Sequence, residues 1–409
     1  MAARTPAPPG RSTAGLVLGV VILFVDGYDL FVLGTAGPSL LAYAPWHATP
    51  AALGVLGSVT ALGMPLGAIA AGWSGDRWGR RTPLTVSLVW ISFWMLLSAV
   101  APTLWLFGAT RFATGIGLGA LVPVVVAFVT DRAPQHRRTF HSNVALTGIA
   151  FGGLAASLLG RALLPALHFQ WLFLIGAFPL LLAPVVWRLV PREVDDPAKD
   201  RAGQRASTAA QLFAPGYRRP TLLFWAATFL ALILVYGAST WLPTLMVEAG
   251  YDVGSSLEFA VTFNVGAIVG TILVAPAADR GYVKPVTVAC FLFAAVAMLA
   301  LSVPQSRWLL LTMCAIAGLG SLGAQNLVNS YVARFYPPRI RGTALGFSLG
   351  VGRIGAIVGP SYLAVVTILI TTAHVGFYAF AVPAVLGAII IGLLPARART
   401  RSRREEAPV

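Results

Sequence analysis

Apolar runs of about 20 residues recur along the whole chain, separated by short breaks rich in Gly, Pro, Arg and Asp. Twelve such runs are predicted as helices, at 15–37, 51–72, 82–101, 104–129, 140–162, 169–190, 220–241, 256–277, 284–303, 308–332, 342–364 and 373–395. Each can cross the roughly 30 Å of hydrocarbon in a bilayer. The runs are continuous and do not alternate apolar with polar, which argues against a membrane β-barrel. The pattern predicts an all-α membrane protein with twelve transmembrane helices.

The longest polar stretch divides these helices six and six. The expected organisation is a disordered cytoplasmic tail at 1–14, a first six-helix bundle at 15–190 and a cytoplasmic linker at 191–219. A second bundle at 220–395 and a basic cytoplasmic tail at 396–409 follow. The halves echo each other at one offset. Asp76 and Arg77 recur 203 positions later as Asp279 and Arg280, and Pro134 and Arg138 recur as Pro337 and Arg341. A parallel repeat of this kind implies two bundles about a central pathway, with alternating access by rocking. At the same offset Asp29 meets Leu232, Arg111 meets Cys314, and Arg353 traces back to Ala150. Charges with a purely architectural role would be expected to repeat, and these do not.

Composition sharpens the picture. Of 409 residues, 57% are hydrophobic and 11% charged, too few charges to cover a soluble protein of this length. The net charge of +15 is concentrated in the tails and in alternate breaks, at 77–81, 132–138, 188–219, 280–284, 334–341 and 397–404. That asymmetry is the positive-inside rule, and it predicts both termini in the cytoplasm of a bacterial inner membrane. The basic charge is thus read as an orientation device for a bilayer rather than a nucleic-acid surface, with anionic lipid a secondary partner. The first apolar run could mimic a signal peptide, but it continues through Asp26 to Pro38 and reads as a retained helix. Cys290 and Cys314 fall inside predicted helices without a disulfide or metal pattern, and there is no P-loop. No metal, cofactor or ATP is expected.

The segment 72-GWSGDRWGRR-81 resembles the loop signature of the major facilitator superfamily, Gly-x-x-x-Asp-Arg-x-Gly-Arg-Arg, and matches it in full. Gly72 suits a close approach of two helices and Gly79 a tight turn. Asp76 can cap the next helix or pair with an arginine across the half-interface; Arg77, Arg80 and Arg81 complete the gate loop. An ordinary positive-inside loop is the alternative. The counterpart 275-APAADRGYVKPV-286 keeps Asp279 and Arg280 but lacks the first glycine, which predicts a weaker latch.

Other segments narrow the resemblance, which extends from about residue 15 to 395. Span 4, 111-RFATGIGLGALVP-123, is similar to the Arg-x-x-x-Gly-x-Gly-x-Gly pattern of sugar porters and aromatic acid/proton symporters. Span 1 carries their Asp-Gly-Tyr/Phe-Asp segment. The stretches 241-WLPTL-245, 324-AQN-326 and 352-GRIGAIVGP-360 look like the aromatic acid branch. Asp131 in place of glutamate, and 190-VPRE-193 at the end of span 6, depart from the pattern and weaken transfer of substrate identity. The resemblance implies the major facilitator fold and proton-coupled uptake of a small organic acid of the benzoate or hydroxybenzoate type, by one functional monomer with the proton as coupling ion.

Depth then orders the buried charges. At 1.5 Å per residue, Asp29 lies about 21 Å from the start of span 1 and Arg111 about 11 Å from the opposite face, which brings them to similar levels. Related sugar symporters pair an aspartate and an arginine at these motif positions, which implies Asp29–Arg111 as the proton-coupling pair, with Arg111 also able to clamp a substrate carboxylate. A structural ion pair is the alternative. Asp26, one turn away on about the same face, either shares a proton with Asp29 or bonds to a neighbouring helix. Arg353, about 18 Å into span 11, is either a bidentate anchor for a carboxylate or a partner of Asp26 or helix-end carbonyls. Gln325, Asn326 and Asn329 form a polar stripe on span 10; with Tyr236 and Trp241 of span 7 they could bond ring hydroxyls and stack a ring. Asn264 is a weaker candidate. Trp241 could equally join the interfacial aromatic belt. His141 and His374 fall near span ends and read as interfacial, with a pH role the alternative.

Three other functions stay open from sequence. A proton symporter for a sugar-like metabolite shares the span 4 motif. A drug/proton exporter would be expected to carry a Gly-Pro in span 5, where 147-TGIAFGGLAASLLG-160 has none. A receptor or membrane enzyme would not explain the repeated gate motif.

Overall fold

The computed structural model describes residues 9–134, 138–190, 210–370 and 374–395. Among them are twelve helices long and apolar enough to cross a membrane. They are α1 (Pro9–Leu41), α2 (Pro50–Trp78), α3 (Arg81–Ala99), α4 (Leu104–Arg132), α5 (Arg138–Leu163), α6 (Gln170–Leu189), α7 (Arg218–Glu248), α8 (Val253–Ala277), α9 (Val283–Leu301), α10 (Arg307–Phe335), α11 (Pro338–Leu369) and α12 (Val375–Leu393). No strand is present among the described residues. Pro179 has no N–H to bond back to Ile175, and α6 is accordingly broken there into Gln170–Ile175 and Pro179–Leu189.

Two segment boundaries differ from expectation. Residues 9–14, expected in the disordered tail, begin α1. A proline at the first helical position costs nothing because its missing N–H would be unpaired anyway. The end of α1 is also held against α4, with Gly15 beside Arg132 and Gly19 beside Val129. Of the expected linker, 191–209 lies outside the described residues, whereas 210–219 carries ordered structure. Leu212 is buried, its carbonyl accepts the Thr221 hydroxyl at 2.9 Å, and α7 already starts at Arg218.

Glycines record the repeat in three dimensions. In the first bundle Gly63 and Gly67 of α2 press on the Phe112 and Ile116 carbonyls of α4, while Gly115 of α4 presses on the Thr60 carbonyl. In the second, Gly266 and Gly270 of α8 meet Ala315 and Leu319 of α10, and Gly318 meets Phe263. Every one of these contacts recurs 203 positions on. Small residues let helix backbones close on each other where lipid offers no hydrophobic drive. The first helices keep a different register. Gly152 sits on the Phe24 carbonyl and Gly355 on the Phe229 carbonyl, so α1 and α7 are offset by 205 while α5 and α11 keep 203. The counterpart of Asp29 is therefore Leu234 rather than Leu232, and that of Asp26 is Ala231. The asymmetry of the buried charges survives the correction.

Among the described residues the bundles touch from one end to about mid-depth. Gly34 of α1 meets the Ser239 carbonyl of α7, its own repeat counterpart, as a pseudo-twofold axis between the two helices requires. On one flank Gly54 and Gly57 of α2 pack on Pro360 and Ser361 of α11, and the Ser58 and Ser361 hydroxyls lie 2.6 Å apart. On the other, Gly160 of α5 meets Leu257 of α8, and Asn264 Nδ2 donates to Ser157 Oγ at 3.4 Å. These positions all lie towards the N-terminal ends of α2 and α8 and the C-terminal ends of α1, α5, α7 and α11; we call this the closed end. At the opposite, open end, a Cβ on Gly72 of α2 or on Gly342, Gly346 or Gly350 of α11 would find no atom within 4 Å. Gly342, Gly346 and Gly350 share a face of α11 with Arg353 at mid-depth, and we call the gap between the bundles along that face the cleft. Trp105 and Trp308, repeat counterparts that are each 81% exposed, ring the closed end as an interfacial aromatic belt does, and Trp73, Trp187 and Tyr282 ring the open one.

Candidate functional site

Mid-depth in the chain holds four charges. Asp26 and Asp29 stand one turn apart on α1. Asp29 turns into the first bundle, where Oδ1 accepts from Arg111 Nη2 on α4. Asp29 is 2% exposed and Arg111 not at all. Arg111 Nη1 rests on the Met95 sulfur at 3.1 Å, and the guanidinium lies 5.5 Å from the centre of the Phe173 ring. The pair is one-armed, since Asp29 Oδ2 and Arg111 Nε are buried without a partner. Unsatisfied buried polar atoms cost stability, so a purely structural pair would be expected to fill them. The predicted partners thus meet, but Met95, Phe173 and the helices around them wall Arg111 off from the cleft, and in this conformation it is not placed to touch a substrate.

The second arginine is placed differently. Arg353 of α11 projects between the bundles, donates from Nη1 to the Tyr236 hydroxyl of α7 at 2.9 Å and contacts the Met64 sulfur of α2 at 3.0 Å. The Tyr236 hydroxyl is itself 3.5 Å from that sulfur. These three residues join both halves at the bottom of the cleft. Among the described residues the Nε–Nη2 edge of Arg353 makes no hydrogen bond, and that edge is the fork that takes a carboxylate bidentately. Asp26 is 7% exposed and has no hydrogen-bond partner among the described residues. Its strongest charged neighbour is Arg353, ahead of Asp29, and no N–O contact within 4.0 Å joins the two.

The remaining candidates separate by burial. On α10, Gln325 Nε2 donates to Asn329 Oδ1 at 3.4 Å while Gln325 Oε1 is buried and unpartnered; Asn326 Nδ2 donates to Thr271 of α8 at 3.3 Å. The expected polar stripe exists, and Gln325 keeps an acceptor to offer. Trp241 belongs neither to the aromatic belt nor to an open ring site. It is 1% exposed and its indole N–H donates to the Pro360 carbonyl at 2.8 Å, tying α7 to α11. Asn264 is fully buried at the closed bundle interface with Oδ1 unpartnered. His141, expected at the interface, is buried within α5, whereas His374 is exposed at the start of α12 in a left-handed conformation. Cys290 and Cys314 are buried and unpaired.

In the gate loop Gly79 takes φ 72°, the left-handed turn expected of it, while no helix approaches Gly72 because the bundles are apart at that end. Arg80 pairs with Asp131 at 3.7 Å, Arg81 lies 3.7 Å over the Trp187 ring, and Arg77 lies near Trp73 and Trp78. These contacts all stay within the first bundle. The side chains of Asp76 and Asp279 lie outside the described residues. Arg280 is exposed in the π-helical turn Ala278–Tyr282, inside which Gly281 takes φ 96°.

Two features were missed from sequence. Met64 carried no charge to mark it. Glu258 of α8 receives Arg161 of α5 on one oxygen and Arg307 of α10 on the other, a clasp across the bundles at the closed end. Arg161, Glu258 and Arg307 fall at the edges of predicted spans on one membrane face, and three charges there were the available signal. Beside the clasp, Asp252 caps α8, and hydrogen bonds from Ser255 hold its carboxyl below the usual range.

Two repeat-related six-helix bundles, touching from one end to about mid-depth around buried charges, define a polytopic membrane carrier. The chain belongs to the Major Facilitator Superfamily, whose sequence profile matches residues 19–360 and 257–409. It is 34% identical to a gentisate transporter of Corynebacterium glutamicum, over 94% of this chain and 88% of that one. It is 32% identical to a benzoate transport protein of Acinetobacter baylyi, over 93% and 88%. The crystal structure of a D-xylose-proton symporter superposes with a TM-score of 0.78 at 17% identity, covering 93% of this chain and 97% of that one, which is a likeness of fold. The protein is a multi-pass membrane transporter and not an enzyme.

Proposed function

We propose that the protein takes up a small aromatic carboxylate, of the benzoate or hydroxybenzoate type, together with protons across a bacterial inner membrane. The observation that carries this reading is Arg353. A guanidinium held by Tyr236 at the bottom of a cleft, with its fork edge unused, is suited to a planar carboxylate. The names of the relatives, transporters of gentisate and benzoate, favour the same class. The α10 amides, Gln325 foremost with its unpartnered oxygen, would receive ring hydroxyls. Trp241 would hold α7 against α11 around the site.

The coupling proton is assigned to the two acids of α1. A carboxylate that loses its cation in a dry interior takes up a proton, and intramembrane acids are functional by default. Both termini are assigned to the cytoplasm from the positive-inside pattern, so the open end faces the cytoplasm and the Glu258 clasp faces outward. Closing the inner end would bring the loop of Gly72, Asp76, Arg77, Gly79, Arg80 and Arg81 towards the second bundle, and the loop of Asp279 and Arg280 towards the first. The cleft lies within one chain, so a monomer suffices, and the proton is the only coupling species required.

Uptake by purified protein in proteoliposomes tests this directly. Labelled aromatic acids, neutral sugars and amines are offered with and without an inward proton gradient. Aromatic acids should accumulate only with the gradient. Preferential accumulation of sugars would overturn the substrate, and aromatic acid uptake indifferent to the gradient would overturn the coupling.

A further inference from the structure

The mid-depth charges can be counted. Among the described residues, α1 contributes Asp26 and Asp29, α4 contributes Arg111 and α11 contributes Arg353. At this level α7 adds only the Tyr236 phenol. The other charges of α5, α7, α8 and α10 lie near the helix ends, including His141 and Arg161 of α5 and Glu258 of α8. With both acids ionised, the empty site is neutral. Asp29 and Arg111 compensate each other in contact; Asp26 and Arg353 do so across a gap without an ion pair.

We infer that one proton accompanies each monocarboxylate and rests on Asp26, so that transport moves no net charge. This rests on the functional reading above. A carboxylate seated on the Arg353 fork replaces Asp26 as its counter-charge. Without a proton the site would then hold one uncompensated negative charge in a low-dielectric interior, a state that desolvation strongly disfavours. One proton bonded to an Asp26 oxygen restores neutrality, and it leaves when the substrate leaves. Ring hydroxyls ionise near pH 10 and do not enter the count. Asp29 keeps its cation throughout, because Arg111 is enclosed within the first bundle and no substrate group reaches it in this conformation. Empty and loaded carriers are both neutral at the centre and cross the field equally. A dianion would need a second proton and should be a poor substrate.

The test uses wild-type protein in proteoliposomes with gentisate as probe, or the aromatic acid best taken up in the panel if gentisate is not. At fixed pH on both sides, a potential set by potassium and valinomycin should leave the accumulation ratio unchanged. Movement of one charge would alter that ratio about 50-fold per 100 mV. An inside-alkaline pH step should drive accumulation, and substrate jumps should give no transport current. Accumulation driven by inside-negative potential alone would mean more than one proton per anion and would overturn the count. Accumulation driven by inside-positive potential would mean less than one and would do the same. Asp26→Asn supplies a second arm: the empty site becomes positive and the loaded site neutral. Its uptake should lose the response to pH and quicken with inside-positive potential. If Asp26→Asn still accumulates substrate on the pH gradient, Asp26 is not the seat of the proton. Absence of uptake for every aromatic acid in wild type would instead overturn the functional reading itself.

Discussion

Arg111 and Arg353 lie near mid-depth in opposite bundles, and they have opposite surroundings. Arg111 is enclosed by α1, α3, α4 and α6, in contact with Asp29 and a thioether. Arg353 stands in the gap between bundles, braced by one phenol, with half its fork unused. Both positions are charged in one half and uncharged in the other, Cys314 for Arg111 and Ala150 for Arg353, whereas Gly115 and Gly355, about one turn or less away, repeat as Gly318 and Gly152. The scaffold was duplicated and the charges were not. A sealed charge fixes or times a conformation; a charge in the cleft selects what enters.

The difference should be largest in stability. Arg111→Leu leaves Asp29 buried without its cation, and breaking a buried pair this way costs about 3–5 kcal/mol. Thermal unfolding in detergent should fall sharply, and adding Asp29→Asn to the same chain should restore most of the loss. Arg353→Leu, partly exposed between the bundles, should change stability by less than about 1 kcal/mol. Equal losses in both variants would erase the distinction.

In transport the order should invert. Arg353→Gln removes a charged hydrogen-bonding fork of about 1.5–3 kcal/mol, so kcat/KM for an aromatic acid should drop about 10- to 150-fold in folded protein. Tyr236→Phe removes one brace of about 1 kcal/mol, and KM should rise about fivefold with kcat little changed. The smallest effect belongs to the clasp. Glu258→Gln should shift the balance towards the outward-open form by about 0.2–1 kcal/mol, read as increased thiol labelling of Ser58→Cys from the outside. Unchanged labelling would make the clasp ornamental.

Much of this fold was legible because its causes are local. Membrane helices announce themselves by length and apolarity, and the Asp-Arg and Pro/Arg echoes gave the 203-residue repeat that α2, α4, α8 and α10 obey. The register of α7 was not legible, since the connection from α1 to α2 is two residues longer than that from α7 to α8, and a difference in loop length leaves no mark on either helix. Asp29 and Arg111, which the motif resemblance implied as partners and helix rise put at similar depth, do meet. Depth says nothing about which way a side chain faces around the helix axis, so it could not tell whether Arg111 faces the cleft or the first bundle, and it left Asp26 undecided. Trp241 misled for a related reason: a tryptophan late in a span fits an interface, and only the neighbouring Pro360 carbonyl buries it. Met64 carries no charge or hydrogen-bonding signature, and its role arises wholly from packing across the bundles.

The central claim is that Arg353 rather than Arg111 holds the substrate carboxylate. It is tested most directly by binding of benzoate and of its uncharged analogue benzamide to purified wild type, Arg353→Gln and Arg111→Gln/Asp29→Asn. Wild type and the double variant should prefer the acid, and Arg353→Gln should bind acid and amide alike. A preference kept in Arg353→Gln and lost in the double variant would contradict the account.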